Sequence, residues 1–242
     1  MGVYADYATA RAAIPADRPE GYDNPGPAAM YLDRIERIHA TDYPVLYWLR
    51  PLVRPGLRVF DLGGHIGVSF YPYSRALGLA SDIDWLVCDV PAVTRAGAEL
   101  ARQRGRSEIR FTNDRADASG FDVFLASGSL QYLDEHLASI LAKLAAKPQH
   151  VFVNMLPVHP EHEFVTLNSI GVAICPYTVH RRDRFLARVC ELGYELVDEW
   201  DNPGKSCRIP FHENHSTDHY LGAYLRLKRS GTARDAGPSP GA

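Results

Sequence analysis

From Leu57 onward the chain alternates short apolar runs with longer amphipathic stretches, a texture that leaves few folds open. The runs are Leu57 to Leu62, Asp84 to Cys88, Ile109 to Phe111, Phe121 to Ala126, His150 to Met155, Tyr194 to Trp200 and Tyr220 to Lys228. Between them lie helical patterns over Phe70 to Leu79, Val93 to Arg104, Leu133 to Ala146 and Asp183 to Leu192. Strand, helix, strand in that order builds βαβ units, whose strands run parallel. The expectation is an α/β fold with a Rossmann-like open sheet of seven strands, mostly parallel, and helices on both faces. The last two strands have no helix between them. Pro157 to Arg182 is too long for a plain connection and reads as an irregular, substrate-covering insertion.

Ahead of this unit, residues 1–28 mix Ala with Pro15, Pro19, Pro25 and Pro27, which predicts a short helix and then an irregular arm. Met30 to Trp48 spaces its apolar residues near 3.6 and is interrupted at Pro44, which predicts two helices. The expected organisation is an N-terminal helical arm or lid over 1–56, a Rossmann domain over 57–228, and a disordered Gly/Pro/Ser-rich tail over 229–242. With 46% hydrophobic and 23% charged residues among 242, a sizeable core is available. A net charge of -3 supplies no basic field for nucleic acid or an anionic membrane. The opening residues show no basic n-region followed by an apolar run, and no stretch approaches ~18 apolar residues, so neither secretion nor membrane spanning is expected. Cys88, Cys175, Cys190 and Cys207 form no CxxC pair, so reduced thiols in a cytoplasmic protein are expected.

The sequence RVFDLGGHIGVSFY sets Gly63, Gly64 and Gly67 where the first strand turns into the first long helix, the place where open α/β sheets bind nucleotide-like ligands. The pattern is not G-x-G-x-x-G. Asp61 sits at the strand end, where its charge would repel a pyrophosphate and suit an ammonium, and His65 stands where a middle glycine often falls. The second strand ends in Asp89, where a carboxylate can accept hydrogen bonds from both ribose hydroxyls; the same residue type also caps helices.

The segment from Arg58 to Lys228 resembles the class I S-adenosylmethionine-dependent methyltransferases, and the whole chain resembles a small bacterial branch of them. The resemblance is carried by D-L-G-G-H-I-G, C-D-V-P-A-V, F-D-V-F-L-A-S-G-S-L-Q-Y-L-D, G-Y-E-L-V-D-E-W and Y-L-G-A-Y-L-R-L. It implies an antiparallel last strand and S-adenosyl-L-methionine as cofactor. Its methionine is then expected near Asp61 and the Gly63-Gly64-His65-Gly67 turn, its ribose on Asp89 and its adenine beside Val90, with further contacts from Ser127 and Gly128. The reaction expected is methyl transfer to a small or carrier-linked metabolite at a hydroxyl or amine. A noncatalytic nucleoside-binding relative and an NAD-dependent oxidoreductase are the alternatives; the missing G-x-G-x-x-G and Tyr-x-x-x-Lys speak against the second.

For a hydroxyl acceptor the chemistry needs a base at the carboxyl ends of the strands. Small-molecule O-methyltransferases carry a histidine in the segment matching Ser129 to His136, and Leu130 stands there instead. His159 and His215 are the remaining catalytic candidates, with Tyr132, Asn154, Tyr177 and His212 as substrate-pocket residues and Gln131 beside them. The His212, His215, His219 spacing matches no familiar ligand register, so no metal is expected.

Overall fold

The computed structural model describes residues 2–24, 26 and 31–228, so the expected tail over 229–242 lies outside the described residues. Each of the seven apolar runs forms a strand: β1 (Arg58–Leu62), β2 (Asp84–Cys88), β3 (Ile109–Thr112), β4 (Val123–Ser127), β5 (His150–His159), β8 (Tyr194–Asp201) and β9 (Tyr220–Leu227). They lie in the order β3-β2-β1-β4-β5-β9-β8. The pairs from β3 to β5 are parallel, and β9 runs antiparallel to both β5 and β8.

Both faces are covered, because strand residues alternate between two cores. Phe60, Leu62, Phe124, Val151 and Val153 face one, with Leu141 of α5 (Leu137–Lys143) and Phe185 of α6 (Arg182–Cys190). Val59, Trp85, Val87 and Phe152 face the other, with Leu49 of α2 (Tyr43–Leu49), Tyr73 of α3 (Phe70–Leu77) and Val93 of α4 (Pro91–Gln103). The four cysteines are free thiols, and no helix among the described residues is long and apolar enough to cross a membrane.

Two expectations are corrected. Pro157 to Arg182 is not irregular: β5 runs on to His159, and β6 (Phe164–Ser169) and β7 (Ile174–Arg181) form an antiparallel hairpin. β4 ends opposite Asn154, and β7 pairs with Val158 and His159 of β5 beyond that point. The hairpin thus continues the sheet from the same strand that carries its core.

The second correction concerns Met30 to Trp48. Pro44 does not interrupt a helix; it occupies the first turn of α2, where its missing N–H costs nothing. Ahead of it stand short 3₁₀ turns, Arg34–Glu36 and Ala40–Asp42. The arm also carries the short helix α1 (Tyr7–Ala12), capped by Asp6 through Thr9 N–H. Tyr4 bridges Val165 of β6, while Ile174 of β7 accepts from Gly21 N–H and donates its own N–H to Pro19 O, both in the arm.

Candidate functional site

The carboxyl ends of β1, β2 and β4 open onto a cavity of about 650 Å³, closed on its other sides by the arm, the hairpin and the 202–206 loop. Gly63 lines it at φ +70°, with its N–H on Cys88 O at 2.7 Å. A β-carbon there would lie 2.2 Å from Cβ of Ser129, whose hydroxyl donates to Leu62 O. The turn is thereby clamped between β2 and the segment after β4, and glycine is the residue that permits it.

Asp61 is placed differently from the expectation. Its carboxylate is 1% exposed and does not line the cavity; it lies beneath Gly64, where an added β-carbon would meet Oδ2 at 2.4 Å. Trp85 Nε1 donates to Oδ2 at 3.1 Å, and Oδ1 has no hydrogen-bond partner. Burial pushes this carboxyl up to about 7. Gly64 and Gly67 likewise serve packing, since a β-carbon at Gly67 would press on Ile109 and Tyr71. The strand end points its odd residues into the α2–α4 face, which is why Asp61 turns inward.

Asp89 faces the cavity. His65 N–H donates to its Oδ2 at 3.0 Å and Val90 N–H to its Oδ1 at 2.7 Å, so each oxygen keeps acceptor capacity. Burial raises this carboxyl to about 6, against the pull of those two N–H groups. Asp89 does not cap α4: the cap position is Val90, and Asp23 from the arm accepts Ala92 N–H at 2.8 Å. His65, buried at φ +54°, completes this side with Val90. A non-glycine residue in that region is strained, and such strain collects at ligand sites.

On the β4 side Ser127 and Gly128 line the cavity, with Gly128 N–H on Asn154 O. Asn154 itself does not. It donates to Thr41 O and Ser127 Oγ and accepts from Trp200 Nε1, tying the arm, β4 and β8 together behind the wall. Next to Gly128 lies Met155, a second strained residue at φ +53°, in a bulge where β5 slips register against β9.

Tyrosines form the opposite wall. Tyr132 meets Tyr22 of the arm at 5.3 Å and Tyr177 of β7 at 5.2 Å, both edge to face. Tyr177 and Tyr220 share a hydroxyl–hydroxyl bond of 3.0 Å, Asn168 donates to the Tyr132 hydroxyl, and Tyr7 donates to Tyr132 O. Burial raises the phenols of Tyr22, Tyr132 and Tyr177, which keeps them neutral.

The structure does not bring His159, His212 or His215 to this cavity. The extension of β5 carries His159 past its rim, where it stacks on His162 at 4.8 Å; His162 stacks on His215 at 4.8 Å and His212 meets His215 edge-on. Phe164 backs this stack while Tyr177, in the same apolar cluster, faces the cavity. No group of three or more His, Cys, Asp or Glu among the described residues could hold a metal ion. Sequence reasoning missed Arg34, Asp42, Met155 and Lys205, which line the cavity from segments that carry no motif.

No protein-family model matches the chain, and no curated protein sequence does. Solved structures do. Magnesium protoporphyrin IX methyltransferase from Synechocystis PCC 6803 with bound S-adenosylmethionine superposes with a TM-score of 0.50 at 12% identity, over 78% of each chain. The glycopeptide N-methyltransferase MtfA with S-adenosylhomocysteine gives 0.53 at 13% identity, over 86% of this chain and 99% of that one. The methyltransferase SibL gives 0.51 at 17%, over 78% of this chain and 56% of that one. The fold is that of the class I S-adenosylmethionine-dependent methyltransferases.

Proposed function

We propose that the chain binds S-adenosyl-L-methionine in this cavity and transfers its methyl group to a small or carrier-linked metabolite, at an amine or hydroxyl. The observation that carries the reading is Asp89: a cavity-facing carboxylate whose two oxygens are each aligned by one backbone N–H and each keep room for a further donor. A ribose diol supplies two such donors. Val90 stands beside it for the adenine, and Gly63 and Gly128 let backbone approach the ligand.

The bound cofactor would supply an electrophilic methyl on a sulfonium. The chain's part is to align the acceptor in line with that methyl and to keep water out. The neutral rings of Tyr22, Tyr132 and Tyr177 suit both tasks, because aromatic faces attract a cation and leave no competing nucleophilic charge. His159 and His215 take no part in this proposal.

Titration calorimetry of the purified chain with S-adenosylmethionine, S-adenosylhomocysteine and NAD tests it. The expected result is micromolar binding of the first two, about -7 to -8 kcal/mol, and none of NAD. Binding of NAD alone would assign the cavity to hydride chemistry, and silence with all three would remove the nucleoside reading.

A further inference from the structure

Two buried polar atoms on the cavity wall lack hydrogen-bond partners among the described residues, and their senses are opposite. Arg34, which opens the 3₁₀ turn of the arm, holds its Nε out of solvent without an acceptor. Its guanidinium stands 6.0 Å from the Tyr31 ring, whereas Arg11, which also reaches the cavity, is already paired with Glu20. Gln131 is 5% exposed, and its Nε2 donates to Gly128 O at 2.9 Å. A carbonyl accepts only from the amide nitrogen, so the bond fixes which end is which and leaves Oε1 buried without a donor.

An orphan of this kind is costly to bury, so a ligand that completes it gains affinity by doing so. Both flank the glycine turn. Tyr31, three residues before Arg34, meets His65 edge-on at 4.8 Å, and Ser129, two before Gln131, packs over Gly63. A phosphate would satisfy Arg34 and leave Gln131 worse off, and an apolar ring would satisfy neither. A zwitterion completes both: its carboxylate takes the guanidinium fork and its ammonium donates to the amide oxygen.

We propose that Arg34 and Gln131 bind the α-carboxylate and α-ammonium of the amino-acid half of S-adenosylmethionine. This inference rests on the function proposed above. It gives the arm a direct hold on the cofactor, and it replaces Asp61, which lies beneath the turn, as the group that reads the methionine end.

Calorimetry with two ligands separates the inference from its premise. S-adenosylhomocysteine carries the amino acid; 5′-methylthioadenosine carries only the nucleoside and sulfur. Arg34→Met and Gln131→Met are each expected to weaken S-adenosylhomocysteine about 10-fold or more, the size of a lost hydrogen bond to a charged group, and to leave 5′-methylthioadenosine unchanged. Arg34→Lys, which keeps the charge without the fork, should recover part of the loss and shows that position 34 tolerates substitution. Equal losses on both ligands, or no loss on either, would overturn the inference. So would a wild-type chain that binds the two ligands equally, with the nucleoside reading intact. A wild-type chain that binds neither would take the function proposal down with it.

Discussion

The sheet edge made by β1, β2 and β4 and the wall made by the arm and the β6–β7 hairpin face the same cavity on different terms. On the sheet edge the strand register decides where each group stands. Leu62 pairs with Cys88, and the His65 and Val90 N–H groups each fall on one oxygen of the following Asp89. On the wall the working groups are side chains, tyrosines from separate segments held by ring edges and hydroxyl bonds. This second region can be rewritten ring by ring while its strands stay in place, as the proposed transfer from a common donor to a variable acceptor would require.

Breaking the sheet side should therefore cost both stability and binding. Trp85 is wholly buried between the strands and α3, and its indole supports Asp61, so Trp85→Ala should lose about 3–5 kcal/mol, read as a fall in the urea midpoint. An unchanged midpoint would mean that the edge is not the rigid partner in this comparison.

Asp61 sharpens the point through pH. Its carboxyl is raised to about 7 in the fold, so between roughly pH 4 and 7 the folded chain keeps a proton that the unfolded chain has released. Stability from this group is present at low pH and falls as pH rises through that window. Asp61→Asn should flatten the decline and leave the protein more stable at pH 8, by at most about 4 kcal/mol for three pH units. Asp89 adds to the same window from its own raised value of about 6, so the slope is reduced and not abolished. A variant with the parent's full slope would relocate the buried charge.

Smaller effects separate ligand from fold. Asp89→Ala should weaken S-adenosylhomocysteine by about 1.5–3 kcal/mol in calorimetry with little change in melting. If affinity is retained, the ribose is not on Asp89. On the wall, Tyr177→Phe removes one hydroxyl bond to Tyr220 and should lower thermal stability by only about 0.5–1.5 kcal/mol, with cofactor affinity unchanged. A cofactor loss there would mean that the two regions are not separable.

What the sequence made legible follows the same division. The strands, their order of alternation and the turn around Gly63 rest on local pattern, apolar runs with period-two burial and glycines at a strand end, and these are readable without partners. The hairpin escaped because β5 runs on past the end of β4 through Pro157 to pair with β7, and because β6 and β7 pack against the arm, a contact far away in the chain. His159 and His215 were plausible by strand direction; the extension of β5 by four residues past Met155 is what moved them off the site. Asp61 faces inward by strand parity, a one-residue matter that motif matching does not track. Arg34 and Met155 carry no pattern at all, since their placement comes from a 3₁₀ turn and a bulge.

The attachment of the arm to the hairpin has a consequence for the order of events during synthesis. Tyr4, Pro19 and Gly21 have their backbone partners at Val165 and Ile174, and Asp23 has its partner at Ala92. While β1 to β5 are being made, Tyr4, Pro19 and Gly21 lack those backbone partners, which come only when β6 and β7 have been translated and docked on β5. Such sequence-distant contacts are slow to close. The arm thus settles after the parallel strands, and until it does the cleft lacks the side on which Tyr7, Tyr22 and Arg34 stand.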